Sequence, residues 1–420
     1  MEKRGYHNLI KNKSYVIYML ANIINRFGDA IDSIAFTWIV YAITGNAFWS
    51  ALIFGINRLP TIFLQPFFGV LADKVNKKLL VIATDCIRGV CVLYIALGVM
   101  GSWLTEWHLL FVTLIISTAE AFRMPASSTM IPQLLDIEDY DYGISLNHGL
   151  SSTVELIGIG SAGVIIGLFG VENAILVDMA TFFICAFLIM FIKLKPIEKQ
   201  EKANESYFTQ LTNGFKFLKG SPIILYFMTI SLLLNALTSP YNSLQAPLVS
   251  EILKSNEIML SVLGGSLSLG GIVGSLIYPK VRQKVSSHEF IIQAGYSLIL
   301  IYLYPLLIGN FITIEWMKYI LIFVGGVIAG LQIGLVNTYI GVTMMKIIKK
   351  EYLGRVNAII NASAVAAMPI SAFITSILVL YISTQAIFII SILLGVLVLV
   401  TVCSKKFFNK MVNENKLDET

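Results

Sequence analysis

Charged residues are scarce in this 420-residue chain. Asp, Glu, Lys and Arg together make up 13% of it, whereas hydrophobic residues make up 56%. A soluble globular domain carries about 25% charged residues, so this chain has too few polar groups to cover a surface that faces water. Lipid is the solvent that suits such a composition. The sequence therefore predicts an integral membrane protein.

Several chemical motifs are also missing from the sequence. There is no G-x-x-x-x-G-K-[ST] loop for nucleotide phosphates, no H-E-x-x-H zinc motif and no G-x-S-x-G nucleophile turn. The four cysteines, Cys86, Cys91, Cys185 and Cys403, lack the spacing of metal ligands, and we interpret them as reduced core residues. We therefore expect no enzymatic activity, no ATP-driven pumping by this chain, no cofactor and no metal.

Apolar runs long enough to cross a bilayer, which takes about 20 residues each, recur along the chain. We predict twelve spans, at 14–42, 47–72, 79–101, 107–133, 143–169, 172–193, 223–250, 258–279, 288–310, 316–345, 352–381 and 384–404. The predicted fold class is all-α integral membrane, with twelve transmembrane helices in two six-helix bundles.

A polar stretch from Lys195 to Glu205 divides these spans six and six. Two equal bundles joined by a loop are the arrangement that transporters build from repeats. The predicted domains are an N-terminal bundle at 1–194, a cytoplasmic linker at 195–222, a C-terminal bundle at 223–404 and a cytoplasmic tail at 405–420.

Most of the 30 Lys and Arg residues fall in loops on one side of the predicted membrane, and only Lys254 and Lys318 fall on the other. The positive-inside rule makes the basic side cytoplasmic, with both termini there. Because the basic residues sit in short separate loops, we expect no nucleic-acid binding. The chain is thus expected to be a multi-pass protein of a bacterial cell membrane.

The first inner loop reads Gly69-Val-Leu-Ala-Asp73-Lys-Val-Asn76-Lys77-Lys78. It resembles the signature G-x-x-x-D-x-x-G-R-K of the major facilitator superfamily, with Asn76 in place of Gly and Lys77 in place of Arg. Asn tolerates the left-handed turn conformation, and Lys keeps the positive charge. The resemblance implies a conformational latch on the inner side of the protein. The latch would comprise Gly69, Asp73, Lys77, Lys78 and, from a late inner loop, Arg355.

Further stretches narrow the resemblance. They are Arg26-Phe-Gly-Asp29-Ala-Ile-Asp32, Thr44-Gly-Asn, Leu59-Pro60, Phe122-Arg-Met-Pro125-Ala, Glu351-Tyr-Leu-Gly354-Arg355-Val-Asn357 and Met368-Pro369. Together they look like the macrolide-efflux and siderophore-export branch, the third drug:proton antiporter family. The likeness covers nearly the whole chain and implies transport by alternating access.

Ionisable residues inside the spans are costly to bury and usually functional, and here they lie in the first half of the chain. The acids are Asp29, Asp32, Asp85, Glu120, Glu155 and Asp178, and the arginines are Arg26, Arg58, Arg88 and Arg123. Three acid–arginine couples are spaced by three residues, which places each couple on one helix face. We therefore expect local pairs between Arg26 and Asp29, Asp85 and Arg88, and Glu120 and Arg123.

Six acids face four arginines, so at least two acids lack an arginine if pairing is one to one. A buried carboxyl group without a partner has a raised pKa and tends to hold a proton. Asp178 is expected to reach the outer interface, and Asp32 and Glu155 to be the most buried acids. We predict proton coupling through Asp32, Glu155 and Glu120.

The resemblance also implies which spans line a central cavity, namely the first, fourth, seventh and tenth. The residues that would contact substrate there are Arg26, Asp29, Asp32, Glu120, Tyr241, Asn242, Gln332 and Asn337. An acidic and partly aromatic cavity suits large amphiphilic cations.

The predicted function is secondary active transport, with proton-coupled efflux of an amphiphilic, drug-like or antibiotic compound. Alternatives that remain open are a lysolipid flippase, another small-molecule permease of the same fold and, more remotely, a membrane-embedded enzyme or a receptor. The expected partners are the substrate, protons and membrane lipids, and the protein is expected to be a monomer.

Overall fold

The computed structural model describes residues 9, 11–71, 76–136, 139–194, 221–348 and 353–413. Within these ranges the side chains at 65–71, 132, 141, 148, 353–355, 357–358, 361–362 and 410–413 are not described. The predicted linker at 195–222 therefore lies outside the described residues, apart from its last two positions.

Helices account for almost all of the described residues, and no strand occurs among them. Twelve long helices follow one another in the described part of the chain, and they match the twelve predicted spans in order. They are α1 (Lys13–Thr44), α2 (Ala47–Leu71), α3 (Lys77–Met100), α4 (Glu106–Ser128), α5 (Tyr140–Phe169), α6 (Val171–Met190), α7 (Pro222–Ser243), α8 (Ile258–Arg282), α9 (Ser287–Phe311), α10 (Glu315–Ile347), α11 (Leu353–Leu378) and α12 (Thr384–Val400).

Four shorter helical segments accompany them: Ile131–Leu134, Gln245–Pro247, the π-helical Leu248–Leu253, and Lys405–Asn413. The π-helical segment ends at Lys254, whose backbone is left-handed with φ 50°. Its last carbonyl, on Leu253, accepts a hydrogen bond from Lys318 Nζ at 2.7 Å. Lys318 thereby joins the start of α10 to the chain that follows α7.

Local sequence signals fix several helix ends. The Asn12 side chain accepts a hydrogen bond from the Tyr15 amide at 3.1 Å and begins α1, and Asn76 does the same for the Leu79 amide at 3.2 Å and begins α3. Gly45, with φ 58°, ends α1 in the left-handed conformation that glycine adopts without strain. The short loop after Gly45 lets α2 begin at once.

Two compact units make up the chain. Unit 1 comprises Met1–Trp49, Ile56–Gln200 and Glu257–Ser261, and unit 2 comprises Ser50–Gly55, Glu201–Asn256 and Val262–Thr420. In unit 1, α1 packs against α5 and α6, and α3 packs against α4 and α6. The side chains that α1, α3, α4 and α6 turn inward therefore meet in the interior of unit 1.

Unit 2 contains a tight crossing of α8 and α10. A Cβ atom added at Gly270 would overlap the main-chain oxygen of Val327, and one at Gly330 would overlap that of Leu267. The two helices therefore touch main chain to main chain, as small residues allow in membranes. Around them α7 packs against α11, and α9 packs against α10 and α12.

The outer surface carries many large apolar side chains. Leu168 is 72% exposed, Leu276 is 74% exposed and Phe311 is 77% exposed. Nine of the described helices are long and apolar enough to cross a membrane, judged by length and composition. An apolar surface of this kind is suited to lipid rather than to water.

Candidate functional site

Arg88 of α3 holds carboxylates from two other helices. Its Nη2 lies 2.6 Å from Asp29 Oδ1 on α1, and its Nη1 lies 2.7 Å from Glu120 Oε2 on α4. The Arg88 side chain is 7% exposed, whereas Asp29 and Glu120 are 22% and 28% exposed. A buried cation is thus shared by two acids that solvent can still reach.

The ring of Phe182 on α6 covers another side of the same arginine. The Arg88 guanidinium carbon lies 4.1 Å from the ring centroid, which is within the range of a cation–π interaction. Arg88 therefore contacts side chains from α1, α4 and α6 while it is itself part of α3.

A second arginine–acid pair lies one helical turn away. Arg123 Nε of α4 is 2.5 Å from Asp85 Oδ1 of α3, and the two side chains are 6% and 0% exposed. We call Asp29, Asp85, Arg88, Glu120 and Arg123 the charge network. It links α1, α3 and α4 inside unit 1.

The pairing within this network differs from the local pairs that spacing predicted. Asp85 bonds to Arg123 rather than to Arg88, and Glu120 bonds to Arg88 rather than to Arg123. The three-residue spacing does place each couple on one face of its helix, but that face packs against neighbouring helices. Partners across the helix interface are then closer than partners along one helix, so the prediction of local pairs was wrong.

Glu155 of α5 was expected to be among the most buried acids, and this is also corrected. Its side chain is 42% exposed, and Glu155 Oε2 lies 3.4 Å from Nε of Arg26, which is 44% exposed. Arg26 therefore pairs with Glu155 on α5 and not, as expected, with Asp29.

Asp178 of α6 was expected at the outer interface but has no exposed surface. Its Oδ2 has no hydrogen-bond partner among the described residues. Asp178 Oδ1 lies against Gly28 of α1, where an added Cβ would come within 2.5 Å of it. Asp32, also on α1, was expected to be among the most buried acids but is half-buried, whereas Asp85 and Asp178 have no exposed surface. Asp178 is buried because it lies on the face of α6 that packs against α1 and α3.

The predicted substrate contacts of unit 2 have different surroundings. Tyr241 is fully buried: its amide donates to Tyr302 Oη at 3.0 Å, and its hydroxyl lies 3.4 Å from that of Tyr304. It is therefore a core residue here rather than an exposed one. Asn242 and Gln332 are half-buried and Asn337 is exposed.

The predicted latch is described only in part. Lys78 Nζ donates to the carbonyl oxygens of Met190 at 2.6 Å and Ile192 at 2.9 Å, at the carboxyl end of α6. Lys77 Nζ donates to Thr129 O at 3.4 Å. The two lysines thus join the start of α3 to the ends of α4 and α6.

The contacts of the other predicted latch residues fall outside the described part of the structure. Asp73 lies outside the described residues, and so do the side chains at 69 and 355. Arg58, the remaining predicted intramembrane charge, lies exposed on α2. Among the described residues, no group of three or more His, Cys, Asp or Glu side chains is placed to hold a metal ion.

Comparison with known families gives this geometry a context. The sequence profile described as transmembrane secretion effector, of the major facilitator superfamily, matches residues 7–405. The chain belongs to this family. It is therefore a multi-pass membrane transporter, and the prediction that it is a transporter rather than an enzyme is confirmed.

Relatives of this transporter include three bacterial proteins. The major-facilitator-type transporter YvqJ of Bacillus subtilis is 22% identical, over 65% of each chain. YkuC of the same species is 24% identical, over 83% of this chain and 82% of YkuC. Macrolide efflux protein A of Streptococcus pyogenes is 22% identical, over 90% of this chain and 91% of that protein. The transporter thus spans just under two thirds of YvqJ but nearly all of macrolide efflux protein A.

Solved structures share the fold. The nucleoside transporter NupG superposes with a TM-score of 0.77 at 12% identity, over 93% of this chain and 98% of NupG. A bacterial homologue of the iron transporter ferroportin, in an inward-facing state, superposes with a TM-score of 0.70 at 15% identity, over 94% and 100%. The predicted fold class, an all-α membrane protein of the major facilitator type, is confirmed.

Sequence reasoning missed two features of the site in this transporter. It did not single out Phe182, and it gave Asp178 no role. The available sequence signal was their spacing, because Asp178, Phe182 and Cys185 follow one another on one helix face; the structure shows that all three are buried. A polar residue on an otherwise buried helical stripe indicates a group turned toward the protein interior.

Proposed function

We propose that this transporter exports an amphiphilic compound by alternating access and that inward movement of protons drives the export. The observation that carries the proposal is the sharing of Arg88 by Asp29 and Glu120, both of which are partly exposed. Acids buried among membrane helices are costly and usually serve transport.

A proton and a cationic substrate would compete for the same carboxylates. When a proton or the positively charged part of a substrate neutralises Asp29, Glu120 still balances the charge of Arg88, and the converse also holds. Exchange at either acid therefore never leaves the buried guanidinium without an anion, a state that would be strongly unfavourable. Mutually exclusive binding of this kind is sufficient to couple two fluxes.

Two further acids extend the proposed coupling set. Asp32 lies one turn beyond Asp29 on α1 and is half-buried, so a change of conformation could alter its access to water. Glu155 faces Arg26 at 3.4 Å in a half-exposed pair, where a cation could replace the arginine. Asp32, Glu120 and Glu155 thus remain our proposed proton-coupling residues.

Efflux is favoured over uptake by one of the relatives, which is named for macrolide efflux and covers almost the whole chain. The proposed membrane orientation has both termini in the cytoplasm, as the distribution of basic loops indicates. Under this orientation substrate would leave toward the side that carries Lys254.

The test uses everted membrane vesicles that contain the transporter, with ethidium and erythromycin as probes. We expect an imposed pH gradient, acidic inside, to drive probe uptake, and nigericin, which collapses the gradient, to abolish it. Vesicles without the transporter provide the background. If neither probe is taken up above background, the proposal that the protein exports such amphiphilic compounds fails. If uptake does not depend on the pH gradient, the proposal of proton coupling fails.

A further inference from the structure

The environment of Asp178 is unusual for a carboxylate. Its side chain has no exposed surface, although it lies eight residues into α6, in a helix that packs against α1, α3 and α5. Carboxylates inside proteins are normally paired with a cation or accept several hydrogen bonds. Asp178 Oδ2 has neither kind of hydrogen-bond partner among the described residues.

The arginine whose charge acts on Asp178 is already bound to other acids. This arginine is Arg88 on α3, which interacts electrostatically with Asp178. Arg88 itself binds Asp29 at 2.6 Å and Glu120 at 2.7 Å. The groups on α1 that interact electrostatically with Asp178 are the carboxyl groups of Asp29 and Asp32. A negative charge at Asp178 would thus face two further acids across the α1–α6 interface.

Within unit 1 the acids outnumber the arginines. Five carboxyl groups lie in or beside the charge network, whereas Arg88 and Arg123 are the arginines bonded within it. The five carboxyls belong to Asp29, Asp32, Asp85, Glu120 and Asp178. Full ionisation of all five would leave negative charge without an arginine to balance it, and the charge on Asp178 would be out of contact with water, which is strongly unfavourable. Protons are the simplest cations that could balance it.

The hydroxyl of Thr181 lies beside the Asp178 carboxyl group. Thr181 Oγ1 donates to the main-chain oxygen of Asp178 at 2.7 Å. The same Oγ1 is also a donor to Asp178 Oδ1, over a longer distance of 3.4 Å. Oδ2 is then the oxygen without a partner among the described residues, and a proton bound there would neutralise the buried group.

Gly28 keeps this pair of side chains in place against α1. An added Cβ there would overlap Thr181 Oγ1 and lie 2.5 Å from Asp178 Oδ1. Gly28 directly precedes Asp29 and lies one helical turn before Asp32 on α1, so the Asp178 carboxyl packs next to the part of α1 that carries both acids. Asp32 is half-buried.

We infer that Asp178 is a buried proton-binding site of this transporter, with the Thr181 hydroxyl as the hydrogen-bond donor to its carbonyl oxygen and Asp32 as the group through which the proton is exchanged. The inference rests on the proposed proton-driven transport and adds a residue to it. In the transport cycle the proton would pass between the Asp32 and Asp178 carboxyls, so each transfer breaks one O–H bond and forms another.

The direct test does not require a known substrate. Infrared spectra of the purified, reconstituted protein, recorded in H₂O and D₂O over a pH series, report the C=O stretch of protonated carboxylic acids. We expect a band that D₂O shifts, that Asp178→Asn removes and that Thr181→Val moves to higher frequency because the hydrogen bond is lost. Thr181→Ser, which keeps the hydroxyl, is the matched control and should leave the band in place.

A spectrum of Asp178→Asn that retains the same band would overturn the inference, and so would a band that neither D₂O nor alkaline pH affects. Because asparagine has the shape of a neutral aspartic acid, the variant should fold; its thermal unfolding is measured alongside. If it unfolds early, the result with Thr181→Val decides, since an unshifted band there contradicts the assignment.

Transport measurements separate this inference from the proposed function. In everted vesicles, ethidium uptake by the wild-type protein should respond to the pH gradient, and Asp178→Asn should lose that response. A wild-type protein that ignores the gradient defeats the proposed function, whatever the infrared result. A wild-type response that survives in Asp178→Asn defeats only the inference.

Discussion

Arg123 and Asp85 form an ion pair that is removed from water, with Nε and Oδ1 2.5 Å apart and side chains that are 6% and 0% exposed. The pair ties α4 to α3 next to the point where Arg88 joins α1 to α4. Each charge in the pair is stabilised by its partner, because water cannot reach either group to take the partner's place.

Removal of one member of this pair should destabilise the protein. We expect Asp85→Asn to lower the free energy of unfolding by about 3–5 kcal/mol, since it leaves the buried Arg123 without its anion. Thermal unfolding in detergent, followed by fluorescence-detected size exclusion, provides the measurement. The double variant Asp85→Asn with Arg123→Gln should recover part of the loss. Equal melting temperatures for the wild type and the single variant would show that the pair does not support the fold.

Asp32→Asn should abolish the dependence of efflux on the pH gradient without loss of folded protein. The reason is that an amide cannot bind or release the proton that the proposed coupling needs. Ethidium uptake into everted vesicles, where export moves the probe into the lumen, measures it with and without nigericin. Glu172→Gln, in the first turn of α6, is the matched control and should behave as the wild type. Gradient-driven efflux that persists in Asp32→Asn would remove Asp32 from the coupling set.

Gly330, at the crossing of α8 and α10, should not tolerate an added side chain. Gly330→Ala would drive a Cβ into the main-chain oxygen of Leu267, and overpacking of this kind costs about 1–3 kcal/mol. Gly341→Ala is the matched control, because an added Cβ there meets nothing within 4 Å. Melting temperatures of the two variants test the prediction, which fails if both resemble the wild type.

Cys403, beyond the end of α12, should react slowly with maleimide and faster as the pH rises. Burial raises the pKa of its thiol to about 11. Because the thiolate is the reactive form, only about one thiol in a thousand is reactive at pH 8, and the rate should rise about tenfold per pH unit below that pKa. Mass spectrometry of the labelled peptide measures the rate. The exposed cysteine of Lys405→Cys serves as the reference, and equal rates at pH 8 would contradict the prediction.

The proposed orientation can be tested with the same reagent class. Lys254 and Lys405 are both exposed, and they lie in segments that the charge distribution assigns to opposite sides of the membrane. In intact cells, a membrane-impermeant maleimide should label Lys254→Cys and not Lys405→Cys, and in everted vesicles the pattern should reverse. Labelling of both positions in intact cells would contradict the orientation.

Helix order was predictable from the sequence because it depends on local properties. Every predicted span has a helix, and helix ends coincide with capping residues such as Asn76 and with Gly45. Apolar length and capping chemistry act within a few residues, so a single sequence contains them. The family likewise followed from one loop with a recognisable spacing.

The partners inside the charge network were not predictable in the same way. Spacing along α3 and α4 showed that Asp85, Arg88, Glu120 and Arg123 share inward faces, but not which helix each face meets. The same limit explains Asp178, whose burial depends on Gly28 of a distant helix. Contacts between helices are set by packing, on which a single sequence carries no direct information.

The glycines at the crossing of α8 and α10 have a mechanical consequence. Contact between two main chains leaves no side-chain torsions to absorb a shear, so a sliding motion of one helix over the other would meet carbonyl oxygens at once. The two helices must then travel as one piece during any rearrangement of unit 2. Bending has to occur elsewhere, at positions such as Pro305 in α9 or Pro369 in α11, where proline already removes a main-chain hydrogen bond.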